Sequence, residues 1–241
     1  MCEQADLTSG NIEKCTAINV EWAKLSAGQV ENLIRALAVP TMTFLRLRGV
    51  GLSAEQSEAI MKAVSLSTNL QNLIFREHAF STSAAKNLAK ALAAGTLRIL
   101  DLRDTVLHDE GAMALAEGLM ENKSLEFVDV NGCDVGADGM VSLAKAVVSH
   151  PTLESLHATN NPIGDAGAVA LGAAIQAQGA AGGPLQEVLV FHSDIGGEGR
   201  TALRSAALAN NEAVKMWDLK REQIRKSWAH ELGLKKSKDE L

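Results

Sequence analysis

The chain has 241 residues, 46% of them hydrophobic, a formal net charge of −6 and three cysteines. That much apolar mass supports a sizeable core, and the negative balance disfavours bulk attraction to nucleic acid. The odd cysteine count argues against a disulfide framework, and no apolar run approaches the length of a membrane span.

Residues 1–11 are polar and are expected to form a lead-in. From residue 12 an apolar spacing begins and recurs. It is weak at first: Cys15, Ile18, Val20 and Leu25, with Leu33 and Leu37 behind them. Met42, Leu45, Leu47 and Leu52 restate it, with Ile60 and Val64 on the following helix. Leu70, Leu73, Phe75 and Phe80 come next, with Leu88 and Leu92. The clearest copies start at Leu97, Leu125 and Leu153. In the middle one, Leu125, Val128, Val130, Cys133 and Val135 match L-x-x-L-x-L-x-x-(N/C)-x-L, followed by Gly139, Leu143 and Val147. Self-similarity at 27–28 residues is the mark of a solenoid.

Within one unit, Leu125, Val128 and Val130 suit a short strand, and Gly139, Leu143 and Val147 suit a helix packed against it. One unit cannot bury both faces alone, so neighbours must stack. Parallel strands stack about 4.8 Å apart, whereas helices need about 8–10 Å. The expected fold is therefore an α/β horseshoe: a curved parallel sheet on the concave side, helices on the convex side. Cys15 and Cys133 fall on repeat positions and are expected as small core thiols in a reducing compartment.

The spacing then lengthens. Gln176–Pro184 is glycine-rich and reads as a turn inserted after a helix. Leu185, Val188, Val190 and Ile195 resume the pattern, with Gly199 and Leu203. In the last unit Val214, Trp217 and Leu219 are expected to be buried, because a one-residue slip would bury Asp218. Ile224, Trp228 and Leu232 form one helical stripe. The division is 1–11 lead-in, 12–219 about eight repeats, and 220–241 a capping helix with a basic tail.

The period, the small residues of the helix and the glycine after the turn resemble the ribonuclease-inhibitor-like class of leucine-rich repeats. That class includes the GTPase-activating protein of Ran and the repeat domain of tropomodulins. The resemblance implies a non-enzymatic protein-interaction module or structural subunit, with the partner on the concave face. Its alternatives are a GTPase-activating protein like that of Ran, or a cytoskeletal or ciliary assembly component. The acidic tail of the Ran protein is absent here.

Strand alternation names the side chains of the concave face. One column reads Asn19, Arg46, Ile74, Asp101, Asp129, His157, Leu189 and Asp218. A second reads Glu21, Arg48, Arg76, Arg103, Asn131, Thr159, Phe191 and Lys220. Arg46, Arg48, Arg76 and Arg103 gather in the N-terminal half, Asp101, Asp104 and Asp129 in the middle, and Leu189, Phe191 and His192 last. Arginine and aspartate can simply pair across strands. The functional reading is a groove whose basic end takes an acidic segment and whose water-facing Leu189 and Phe191 take an apolar anchor. His157, Asp129 and Cys133 are not expected to form a nucleophile site, since Cys133 points into its turn. No catalytic, metal or cofactor motif is present, and the expected partner is a protein, with no nucleic acid or membrane. The final Lys238-Asp239-Glu240-Leu241 matches an endoplasmic-reticulum retrieval signal. With no signal peptide in view the expectation is the cytoplasm, and the lumen is the alternative if a leader is missing from this sequence.

Overall fold

The computed structural model describes residues 4–209. The units expected over 211–219 and 220–241, and the retrieval tetrapeptide, lie outside those residues. Seven strands form one parallel sheet in strict chain order. They are β1 (Ala17–Glu21), β2 (Phe44–Arg48), β3 (Asn72–Arg76), β4 (Ile99–Asp101), β5 (Phe127–Asp129), β6 (Ser155–His157) and β7 (Glu187–Leu189). The helices that follow them are α2 (Ala27–Leu37), α3 (Ala54–Leu66), α4 (Thr82–Ala93), α5 (His108–Glu121), α6 (Ala137–Val147), α7 (Gly164–Ala180) and α8 (Gly197–Ala209). No helix among the described residues is long and apolar enough to cross a membrane.

The core lies between the two layers, where the repeat places it. Ile18 and Val20, Leu45 and Leu47, Leu100 and Leu102, Val128 and Val130, and Val188 and Val190 are all buried. The early helices start on their own caps: Ser26 with Gln29, and Ser53 with Gln56, form reciprocal capping boxes. Later helices borrow a cap from the preceding unit. Asp109 accepts from Gly136 N–H at 2.7 Å and Gly139 N–H at 3.0 Å, at the start of α6. Asp165 does the same for Gly196 at 2.6 Å and Gly199 at 3.0 Å, at the start of α8. A carboxylate there satisfies free N–H groups and favours the helix dipole. These bonds also tie neighbouring units together.

Three expectations change. The polar lead-in carries a short helix, α1 (Gln4–Ser9), whose Leu7 is wholly buried. Asn32 Nδ2 of α2 donates to the Leu7 carbonyl at 2.8 Å, so α1 closes the end of the helical layer. The glycine-rich insertion is mostly helix, because α7 runs on to Ala180. Gln and Ala sustain helix well, and Gln178 anchors the extra turn by donating to the Val147 and His150 carbonyls at 2.6 and 3.1 Å. Cys15 is buried as expected but is disulfide-bonded, while Cys133 is a free, buried thiol. The odd count leaves room for one pair, and the reducing-compartment expectation loses the support it drew from Cys15.

Candidate functional site

Within the described residues the register follows both columns, whose last members Asp218 and Lys220 lie outside them. Asn19, Arg46, Ile74, Asp101, Asp129, His157 and Leu189 are successive partners across all seven strands. Glu21, Arg48 and Arg76 pair beside them. Backbone bonds from Glu77 to Arg103, Asp104 to Asn131, Gly132 to Thr159 and Asn160 to Phe191 carry the second column onward. A third column, Phe44, Asn72, Ile99, Phe127, Ser155 and Glu187, lies on the same face. Sequence reasoning passed over it, although the period of two that named the other columns also names this one.

The central column is a floor rather than an exposed strip. Asp101, Asp129 and His157 are 3%, 0% and 2% exposed. Leu189, expected to face water, is 5% exposed. Side chains on the inside of a curved sheet converge, so the outer columns shade the middle one. Phe191 is half-buried and His192 exposed, their rings 5.5 Å apart. With Ser193, Asp194, Ile195 and Arg200 they border a shallow hollow of about 400 Å³.

The arginines do not form a free positive ladder. Arg46 Nε lies 3.1 Å from Glu21, and Arg48 Nε donates to Glu77 at 2.9 Å. Arg76 is bonded to Asp101. Arg103 Nε donates to Asp129 at 3.1 Å and its other end lies 3.6 Å from Asp101. His157 stands 3.7 Å from Asp129 and 2.9 Å from Glu187. Thus Arg76, Asp101, Arg103, Asp129, His157 and Glu187 form one chain of alternating charge across β3 to β7. The cross-strand pairing reading is the one the geometry supports, and no large net potential remains on the floor.

Each buried charge has a physical support. Burial works against the Asp129 carboxylate, but His157 and Arg103 hold it at about 2. Its other oxygen accepts the Asn131 N–H at 2.9 Å, and Asp101 accepts the Arg103 N–H at 3.1 Å in the same way. Burial also works against charge on His157, yet Asp129 and Glu187 raise it to about 9, so it is a cation at neutral pH. Burial works against Arg103 as well, but Asp129 and Asp101 push its pKa up. Asp104 sits outside the chain of charge; it is exposed, and partial desolvation pushes its carboxyl up despite Arg103.

The rim above the second column has an unusual backbone. Trp22, Gly49, Glu77, Asp104, Gly132, Asn160 and His192 hold equivalent places in seven units, all with φ between 54° and 64°. Glycine, Asn and Asp suit that region, whereas a bulky residue there is strained. Gly49 is required on a second ground: a Cβ would collide with the Trp22 ring. That ring is 64% exposed and has the Arg48 guanidinium 4.7 Å from its centroid.

Cys133 Sγ donates to Leu102 O of the preceding unit at 3.1 Å, and burial pushes the thiol pKa up, away from the reactive thiolate. Among the described residues no group of three His, Cys, Asp or Glu could hold a metal ion. The turn positions behave as structural ones: Asn161 accepts from Cys133 N–H and Val135 N–H at 3.0 Å each and donates to the Val130 carbonyl at 2.8 Å.

The family described as Leucine Rich repeat matches residues 96–116, 121–144 and 149–172. These stretches cover β4, β5 and β6, each with the first turns or more of its helix. No curated protein matches the chain by sequence. Among solved structures 71 chains match in fold. One is described as "Leiomodin-1 Actin-Binding Site 2 (ABS2)", with a TM-score of 0.53 and 14% identity over 77% of this chain and 100% of that chain. At that identity the likeness shows the fold alone. Repeat matches, register and architecture agree: the chain is a leucine-rich-repeat protein.

Proposed function

We propose that the chain is a non-enzymatic interaction module that seats a partner protein on its concave sheet. Leucine-rich repeats generally serve protein–protein interaction, and that supports the class. The observation that carries the site is the continuous charge chain from Arg76 to Glu187, held rigidly on the floor and bordered by apolar side chains at the rim. A rigid, patterned polar floor with aromatic flanks suits recognition, because little order is lost on binding. Arg103 has the most exposed side chain of the four concave arginines, at 33%. It is where an acidic residue of the partner has most to gain. Recognition there works through directed hydrogen bonds, since net potential is small. Phe191 and His192 supply the apolar anchor.

The test is photo-cross-linking in cells with benzoylphenylalanine at Phe191 or His192, compared with Met113 or Met120 on α5. A common protein captured from the first pair and not the second supports the reading. Capture only from α5 would move the interface to the convex helices. Two direct assays read the alternatives: stimulated GTP hydrolysis by a Ran-type GTPase, and co-sedimentation with filamentous actin. Actin is included because the structural neighbour is described as actin-binding.

A further inference from the structure

Among the described residues β1 stands at the end of the sheet, with β2 as its one strand neighbour. Two flanking bonds set the phase of that pairing: Thr43 N–H to Thr16 O at 2.8 Å, and Trp22 N–H to Arg48 O at 2.9 Å. Thr16, Ile18, Val20 and Trp22 therefore turn their backbone groups toward β2. In a parallel ladder the alternate residues, Ala17, Asn19 and Glu21, turn theirs the other way. No strand meets them there among the described residues, and all three are half-exposed.

Natural edge strands are usually short, bulged, or guarded by proline or lysine. β1 has none of these guards. Its sequence is Ala-Ile-Asn-Val-Glu, its register with β2 is unbroken over five residues, and it is longer than β4 to β7. Two side chains beside the edge also have unused capacity. Asn19 Oδ1 is shielded from water without a hydrogen-bond partner among the described residues. The Glu21 contact with Arg46 runs through one oxygen, Oε1. Just past the strand stands the exposed ring of Trp22, held against Arg48.

We propose that the β1 edge accepts an extended segment of a partner protein as an added strand. The backbone groups of Ala17, Asn19 and Glu21 bond its main chain. Its concave-side residues carry a hydrogen-bond donor beside Asn19, met by a turn of that amide, and a cation beside Glu21. An apolar side chain further along packs on Trp22. A flexible segment fits better than a second copy of this chain. Three free residues are too short an edge to hold two rigid bodies, while a segment can continue from the edge onto the Trp22 ring. This site is separate from the concave floor, so either can fail without the other.

The probe is a random ten-residue peptide display library panned against the full chain. The best enriched peptide is then measured by fluorescence anisotropy. Asn19→Pro removes the outward N–H without touching the bonds to β2. It is expected to weaken the peptide at least tenfold, with circular dichroism unchanged. N-methylation of alternate peptide residues is expected to do the same, and it leaves the protein intact should Asn19→Pro not fold. Asn19→Ala keeps the N–H and is expected to cost less. Phe191→Ala should have no effect. The proposal is overturned if no peptide is enriched, if N-methylated peptides bind equally well, or if Phe191→Ala alone abolishes binding. A dimer in light scattering that Asn19→Pro dissolves would overturn it in favour of a second copy.

Discussion

The two halves of the concave face use charge differently. In β1 to β3 Arg46 pairs with Glu21 and Arg48 with Glu77, and all four side chains are between 14% and 27% exposed. In β4 to β7 the pairs merge, and Asp101, Asp129 and His157 sit on the floor at 5% side-chain exposure or less. The same repeat geometry thus carries partly exposed pairs and a network whose two aspartates and histidine are buried. Partly exposed pairs are worth little. A buried network is costly to break, because removing one member strands the others. The C-terminal half should therefore be the stiff half, and the N-terminal half the tolerant one.

The largest expected effect comes from Asp129→Ala. It leaves the buried His157 with Glu187 alone and Arg103 with the more distant Asp101, and is expected to cost about 3 kcal/mol in urea unfolding. A loss below about 1 kcal/mol would abolish the distinction between the halves. Arg103→Glu belongs to the same class, so it cannot serve as a clean probe of binding.

The pH profile is next. His157 in the folded chain titrates near 9, above its unfolded value of about 6.5. Its contribution is therefore complete below pH 6.5 and is lost as pH rises through 9. That alkaline limb is expected to span about 3 kcal/mol. Glu187→Gln should shrink it, and urea midpoints between pH 6 and 10 read it directly. An unchanged limb in that variant would show that the charge chain ends at Asp129.

An acid limb should appear on the other side. Burial lowers His78 and His150 to about 4. Both are neutral in the fold, so stability falls as pH drops from 6.5 toward 4, where the unfolded chain binds more protons. His78→Phe, beside Phe75 at 4.4 Å, is expected to flatten part of that limb. If the limb is unaltered, His150 and the carboxylates carry it.

The smallest effect is expected from Glu77→Gln, which removes the carboxylate facing the partly exposed Arg48 Nε. The loss should be under about 1 kcal/mol in the same unfolding assay. A loss as large as that of Asp129→Ala would mean that the N-terminal pairs are coupled too.

The primary structure alone determined the repeat, the register and the membership of two concave columns. Those follow from apolar spacing, and a slip of one residue would turn Asp129 toward the helices and Val128 and Val130 onto the concave face. It also placed Cys133 and Asn161 in their turns. Only the tertiary structure decided how the columns are used. Whether Arg76 and Arg103 are free or paired depends on side-chain reach to carboxylates 25 and 26 residues further along the chain. Whether Leu189 meets water depends on how far the curved sheet closes over its own middle. The helical reach of α7 depended on Gln178 finding carbonyls at the end of α6, a partner no local pattern announces. Local periodicity sets which way a side chain points, and packing between units sets what it meets there.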